Sequence, residues 1–194
     1  MVKYLLESGA DPNCAQCLHH AVSKGKQNLC QLLISYGANV DEINMNCETP
    51  LVTAILANNS DMVKYLLESG ANPNFAQCLH HAAQKGRADI CRLLFSYGAD
   101  LNTMNANNET PLMLAIKSAS HLPLDGPDRW LHRLNRQMAT VKYLIYQQIH
   151  CNVNVSSESL LLVLSMVNRW SKRSPFCTMP NIERCMSTGD NQAK

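Results

Sequence analysis

The segment Met62-Val63-Lys64-Tyr65-Leu66-Leu67-Glu68-Ser69-Gly70-Ala71 repeats, letter for letter, the segment Met1 to Ala10. The match continues beyond it. Residues 1–55 align with 62–116 without a gap at an offset of 61, and 36 of the 55 positions are identical. A chain that copies itself at a fixed period builds a stack of like units, so the period decides the fold before any single residue does. Each block of 61 is itself two units, because the turn Gly-Ala-Asp/Asn recurs at Gly9, Gly37, Gly70 and Gly98, spaced 28, 33 and 28.

The units open with Gln16-Cys17-Leu18, Thr49-Pro50-Leu51, Gln77-Cys78-Leu79 and Thr110-Pro111-Leu112. Between opener and glycine lie two short helix-compatible stretches. In the third unit, Ile90, Leu93, Leu94 and Tyr97 follow the i, i+3, i+4, i+7 spacing of one helical face. Gly86 separates the two helices, and Gly98 supplies the left-handed position that ends the second one. Pro50 and Pro111 suit a first helical turn, where a missing N–H removes no bond, with Thr49 and Thr110 as caps. The Leu-Leu pairs Leu66-Leu67 and Leu93-Leu94 are expected to be buried between units.

The Thr-Pro-Leu openers, Ala54 and Ala115 at the helix–helix contact, the Leu-Leu pairs and the Gly-Ala turns together resemble the ankyrin-repeat family. The resemblance covers residues 1–116 strongly and 137–169 weakly. It implies an all-α solenoid of stacked antiparallel helix pairs, some units lacking the β-hairpin finger. The expected array spans 1–170: a half-unit at 1–14, units at about 15–43, 44–75, 76–104 and 105–154, and a last helix at 157–170. Met1 aligns with Met62 in mid-unit, so the chain opens on an unpartnered second helix, expected to fray. Residues 117–139 form an insertion, with 121–128 as loop and Arg129 to Gln137 as a short basic helix. Residues 171–194 form a polar, disordered tail.

The units that open with Gln-Cys-Leu are too short for a finger and predict a tight turn. Where the family uses a fingertip glycine, this chain has Cys47 in one unit and Asn108 in another. Cysteine tolerates the left-handed region poorly, so the first finger is expected to be distorted.

Composition bounds the function. A net charge of +2 gives no footprint for nucleic acid. The longest apolar run, Leu160 to Val167, is too short to span a bilayer, so no membrane insertion is expected. Nine cysteines without a signal peptide indicate free, mostly buried thiols inside the cell, in cytoplasm or nucleus. Cys17, His19, His20 and Cys30, copied as Cys78, His80, His81 and Cys91, superficially form a zinc set. Adjacent histidines project about 100° apart on a helix, which favours structural roles. No phosphate loop, nucleophile elbow or metalloprotease motif is present, so neither an enzyme, a cofactor nor a small-molecule substrate is expected.

What remains is surface. The resemblance implies a protein-interaction module, a scaffold or adaptor, whose unidentified protein partner binds the concave face and fingers. The alternative is a substrate-recognition fragment of a larger regulatory protein, such as a ubiquitin-ligase adaptor or kinase. The candidate contacts are Lys24, Leu56, Gln84, Lys85 and Lys117 on the first helices and Met45, Asn46, Glu48, Asn107 and Glu109 on the fingers. Lys24, Lys85 and Lys117 are expected to line up as a positive strip. Trp130 in the insertion is a competing aromatic anchor.

Overall fold

The computed structural model describes residues 1–120 and 127–150. Among them the chain forms α1 (Val2–Glu7), α2 (Cys17–Ser23), α3 (Gln27–Ser35), α4 (Pro50–Leu56), α5 (Ser60–Glu68), α6 (Cys78–Gln84), α7 (Ala88–Ser96), α8 (Pro111–Ser120) and α9 (Pro127–His150). No strand occurs among the described residues. The helices pair as α2 with α3, α4 with α5, α6 with α7 and α8 with α9. The first helices stack in the order α2, α4, α6, α8, while α5 packs on α7 and α7 on α9. This is the all-α solenoid that the repeats imply.

The caps follow the local chemistry. Thr49 is extended and its Oγ1 accepts the Val52 N–H at 3.3 Å, with Pro50 in the first turn. Thr110 Oγ1 accepts the Met113 N–H at the same distance. The Gln-Cys-Leu units begin differently. A 3₁₀ turn (Cys14–Gln16 or Phe75–Gln77) leads into the helix through a left-handed glutamine, at φ 54° for Gln16 and 56° for Gln77. That is the tight turn the spacing predicts.

The core runs continuously through the stack. Leu18, Leu51, Leu79 and Leu112, which follow the four openers, are all buried, as are Ala21, Ala54, Ala82 and Ala115. In the second helices Leu33, Leu66 and Leu94 are buried, each four residues before the closing glycine. Leu93 is only half-buried. Its Leu-Leu pair sits one position earlier relative to the glycine than Leu66-Leu67, and one residue on a helix is a turn of about 100°. The duplicated decamer shows what stacking does to one sequence. Val63, Leu66 and Leu67 are buried, whereas Val2 and Leu5 in α1 are exposed and only Leu6 is buried.

The insertion departs from expectation. Residues 129–137 are not a separate short helix, and Pro127 and Asp128 are not loop. All belong to one 24-residue helix that runs on through Val141 and Leu144, the buried counterparts of Val63 and Leu66. The physical reason is in the sequence: proline is compatible with a first turn, and no glycine or proline follows before His150. Gln137 fastens this helix. Its side chain is buried, and Nε2 donates to the Ala83 carbonyl at 2.8 Å and the Ala115 carbonyl at 3.0 Å, joining α9 to the end of α6 and the middle of α8. Both carbonyls would otherwise be dry and underused. The proposed last helix at 157–170 and the tail at 171–194 lie outside the described residues.

Two predictions follow from this packing. Leu94→Ala should lower stability by about 2–5 kcal/mol in urea denaturation, because transfer and cavity terms add at a fully enclosed site; a loss below about 1 kcal/mol would contradict the burial. Gly86 has φ +68°, and an added Cβ would strike Gln137 Oε1 and lie 3.3 Å from Gln137 Cα. Gly25, at φ +63°, would meet nothing nearer than Asn59 Nδ2 at 3.5 Å. Gly86→Ala should therefore destabilise more than Gly25→Ala, and equal losses would mean that the Gln137 contact is not tight.

Candidate partner-binding surface

Fingers occupy residues 44–48 and 105–109, and both are built around an asparagine. Asn44 N–H donates to the Glu48 carbonyl at 2.9 Å, and Asn44 Oδ1 accepts the N–H groups of Asn46 and Glu48 at 2.8 and 3.0 Å. Asn44 Nδ2 also donates to Glu48 Oε2 at 3.2 Å. Asn105 repeats the set with Asn107 and Glu109 at 2.9 Å each, and donates to Glu109 Oε2 at 3.1 Å. Cys47 and Asn108 both take the left-handed conformation, at φ 58° and 56°, and both donate their N–H to the asparagine carbonyl at 3.0 Å. The expected distortion at Cys47 is thus absent. The asparagine bonds impose the same turn on both residues, and cysteine bears the backbone strain.

Side chains tie each turn to the next unit. Asn13 Oδ1 accepts the Asn39 N–H at 2.7 Å, the Asp41 carboxylate accepts the Asn72 N–H at 3.1 Å, and Asn74 Oδ1 accepts the Asp100 N–H at 2.7 Å. The turn at Phe75 is consequently held between the finger of the second unit and the finger of the fourth. It has no finger of its own. The third unit thus exposes Phe75 (44% exposed) at the turn where the second and fourth units carry fingers. Met45 (94% exposed) stands on one finger, and Ile43 and Met104 (65% exposed) are exposed immediately before the two fingers. Ile43 and Met104 are equivalent positions of the duplication.

The candidate first-helix residues are exposed, but they do not make one cationic row. Lys24 and Lys85 occupy equivalent positions, while Lys117 aligns with Gln84, one residue earlier. Between them α4 presents the exposed Leu56. Lys117 forms an ion pair with Glu109. That bond to Lys117, followed by the one from Asn105, pulls the Glu109 carboxyl below its usual range. Lys117 therefore anchors the fourth unit's finger to α8. Asn46 and Asn107 are exposed at the fingertips, and Glu48 is half-buried against Asn44. Trp130 falls on α9, and its side chain is outside the described residues.

The Cys/His copies are occupied with structure. His19 Nε2 lies 2.8 Å from the Glu42 carbonyl and Nδ1 lies 3.2 Å from Thr53 Oγ1. His80 Nε2 lies 3.0 Å from the Glu109 carbonyl, but its buried Nδ1 has no partner, because Leu114 stands where Thr53 stands in the first copy. Cys30, Cys78 and Cys91 are buried, whereas Cys14 and Cys47 are exposed and Cys17 is half-buried. The expectation of mostly buried thiols thus holds for only half of these six.

Stacked helix pairs with fingers along one edge define a repeat protein of the interaction type. The family model for ankyrin repeats matches residues 1–77 and 76–124. The chain belongs to the ankyrin-repeat family, whose repeats are protein–protein interaction modules. It is 38% identical over 104 residues to the mouse B-cell lymphoma 3 protein homolog, covering 50% of this chain and 23% of that protein. It is 34% identical over 110 residues to human ankyrin repeat and SOCS box protein 11, covering 55% of this chain and 34% of that protein. Among solved structures, the ankyrin repeat domain of Bcl-3 matches at 37% identity and a TM-score of 0.49, over 50% of this chain and 45% of that one. The matched stretch is thus about a third or less of these relatives' full length.

The reading sequence analysis missed is the apolar content of the finger edge: Ile43, Met104 and Phe75. The signal was available, since Ile43 and Met104 keep an apolar residue through the duplication beside a conserved asparagine position.

The histidines give a pH dependence. Burial, only partly offset by the Glu109 carbonyl, lowers the His80 pKa below its ordinary 6.5, and burial lowers that of His81 as well. A group depressed in the fold binds its proton first in the unfolded chain, so stability falls as pH drops below about 6.5. The urea midpoint should therefore fall between about pH 7.5 and pH 5.5, and fall less in His80→Gln. Equal falls in both proteins would show that His80 carries no such linkage.

Proposed function

We propose that this chain is a scaffold or adaptor module that captures a protein partner along its finger edge and first-helix face. The observation that carries the reading is the fingerless third unit. Its turn exposes Phe75 between two finger-bearing units, and Ile43, Met45 and Met104 are exposed at and beside those fingers. Exposed methionines adapt to irregular partner surfaces and carry much apolar area. Around them stand Asn46, Glu48, Asn107 and Glu109, a polar rim of the kind that excludes water from an apolar centre. Lys24, Lys85, Gln84 and Leu56 extend the contact onto the first helices, while Lys117 serves through the Glu109 finger.

A second reading is favoured by one observation. The relatives named for ankyrin repeats and a SOCS box extend far beyond the matched stretch, which is 34% of their length. On that reading the array is the recognition part of a larger regulatory protein, such as a ubiquitin-ligase adaptor, and the same surface selects its substrate. In both readings the protein works inside the cell, in cytoplasm or nucleus, where free thiols persist.

The test uses a partner identified by proximity labelling and then purified. Met45→Asp with Met104→Asp should weaken its binding at least about tenfold, because each methionine buries roughly 1–2 kcal/mol of apolar contact. Lys24→Glu with Lys85→Glu should act mainly on the association rate. If both pairs bind unchanged while Trp130→Ala abolishes binding, the contact lies on α9 and the finger edge is not the site.

A further inference from the structure

Cys14-Ala15-Gln16-Cys17 places two thiols three residues apart, at the start of the 3₁₀ turn and at the first position of α2. Their sulfurs are 3.9 Å apart. A disulfide requires about 2.05 Å between sulfurs and Cα atoms within about 4.4–6.8 Å, a span that one helical turn supplies. The sulfurs, already at 3.9 Å, have to approach by about 2 Å for the bond to close.

The other described cysteines differ in kind. Burial pushes the Cys30 thiol up to about 11 and those of Cys78 and Cys91 up to about 12. Cys47 stands alone on its fingertip. The duplicated turn acts as an internal control. Phe75 replaces Cys14 there, and Cys78 instead donates its S–H to the Phe75 carbonyl at 3.0 Å.

We propose that Cys14 and Cys17 form a reversible dithiol–disulfide site, oxidised by a low-molecular-mass disulfide such as glutathione disulfide. The exposed Cys14 thiolate attacks one sulfur of glutathione disulfide, forming a Cys14–glutathione bond and releasing one glutathione. The Cys17 thiolate then attacks Cys14 Sγ, breaking that bond and releasing the second. Two electrons pass to glutathione disulfide, and the two thiol protons leave with the two glutathiones. Burial, then the hydrogen bond and charge of Cys14, and then Glu42 and Asp11 push the Cys17 thiol up. Closure therefore accelerates with pH as the Cys17 thiolate fraction rises. The closed bridge fixes the turn that presents Asn13 to the Asn39 N–H, so oxidation stiffens the tie between the first two units.

The full chain is incubated with glutathione disulfide, quenched with an alkylating reagent, digested with trypsin and weighed. The peptide from Tyr4 to Lys24 holds Cys14 and Cys17 and no other cysteine. It should lose two hydrogens and resist alkylation, and reductant should restore double alkylation. Cys17→Ser should stop at one glutathionyl group on Cys14. Cys14→Ser, changed at an exposed site, should take up glutathione at Cys17 at least about tenfold more slowly than Cys14 reacts in the parent chain. A peptide that stays doubly alkylatable, one that carries two separate glutathionyl groups, or a Cys17 as fast as Cys14 would each overturn the proposal.

Discussion

No helix pair among the described residues buries its own apolar face. Each short helix presents one stripe to its partner and another to the next unit, so the core exists only through stacking. Leu66 of α5 is buried because α7 and α4 lie against its helix, and its twin Leu5 in α1 is exposed because its helix has fewer neighbours. The same constraint explains the polar ties. Asn13, Asp41 and Asn74 each bind a backbone N–H of the following unit, which ties the turns together beside the buried Ala38, Ala71 and Ala99. Gln137 does for the long last helix what those side chains do for the turns.

Stacking also sets the shape of the surface. Because finger-bearing and fingerless units alternate, the edge is uneven, and Ile43, Met45, Phe75 and Met104 are exposed along it. The duplication set the alternation of units, but Phe75 and Met45 are single differences between the copies, standing against Cys14 and Ala106. The two fingers close alike despite Cys47, since each is bonded to its own asparagine.

Much of this was legible in the sequence. The glycine spacing gave the unit lengths, and the missing residues before Gln77 foretold the tight turn. Thr49 and Thr110 cap as their position before proline requires. Other features were not legible, for physical reasons. Pro127 has the appearance of a helix breaker, yet in a first turn it starts the helix. Leu93 shares a Leu-Leu pair with Leu94 but not its helical phase. The lysine strip fails because identical residue type does not mean equivalent position, and because Glu109, eight residues away in sequence, reaches Lys117. The histidine–cysteine copies resemble a metal set only until the carbonyls of Glu42 and Glu109 are placed beside the histidines.

The central claim is that neighbours, not local sequence, hold each helix. Native-state hydrogen exchange tests it directly, because α1 and α5 belong to identical decamers in different surroundings. If stacking governs, the amides of Leu66 and Leu67 should exchange at least about a hundredfold more slowly than those of Leu5 and Leu6, reflecting sub-global opening against local fraying. Equal protection in the two copies would contradict the account, since the decamer would then be held alike whether or not it has the neighbours, the Asn59 cap and the longer first turn that only α5 possesses.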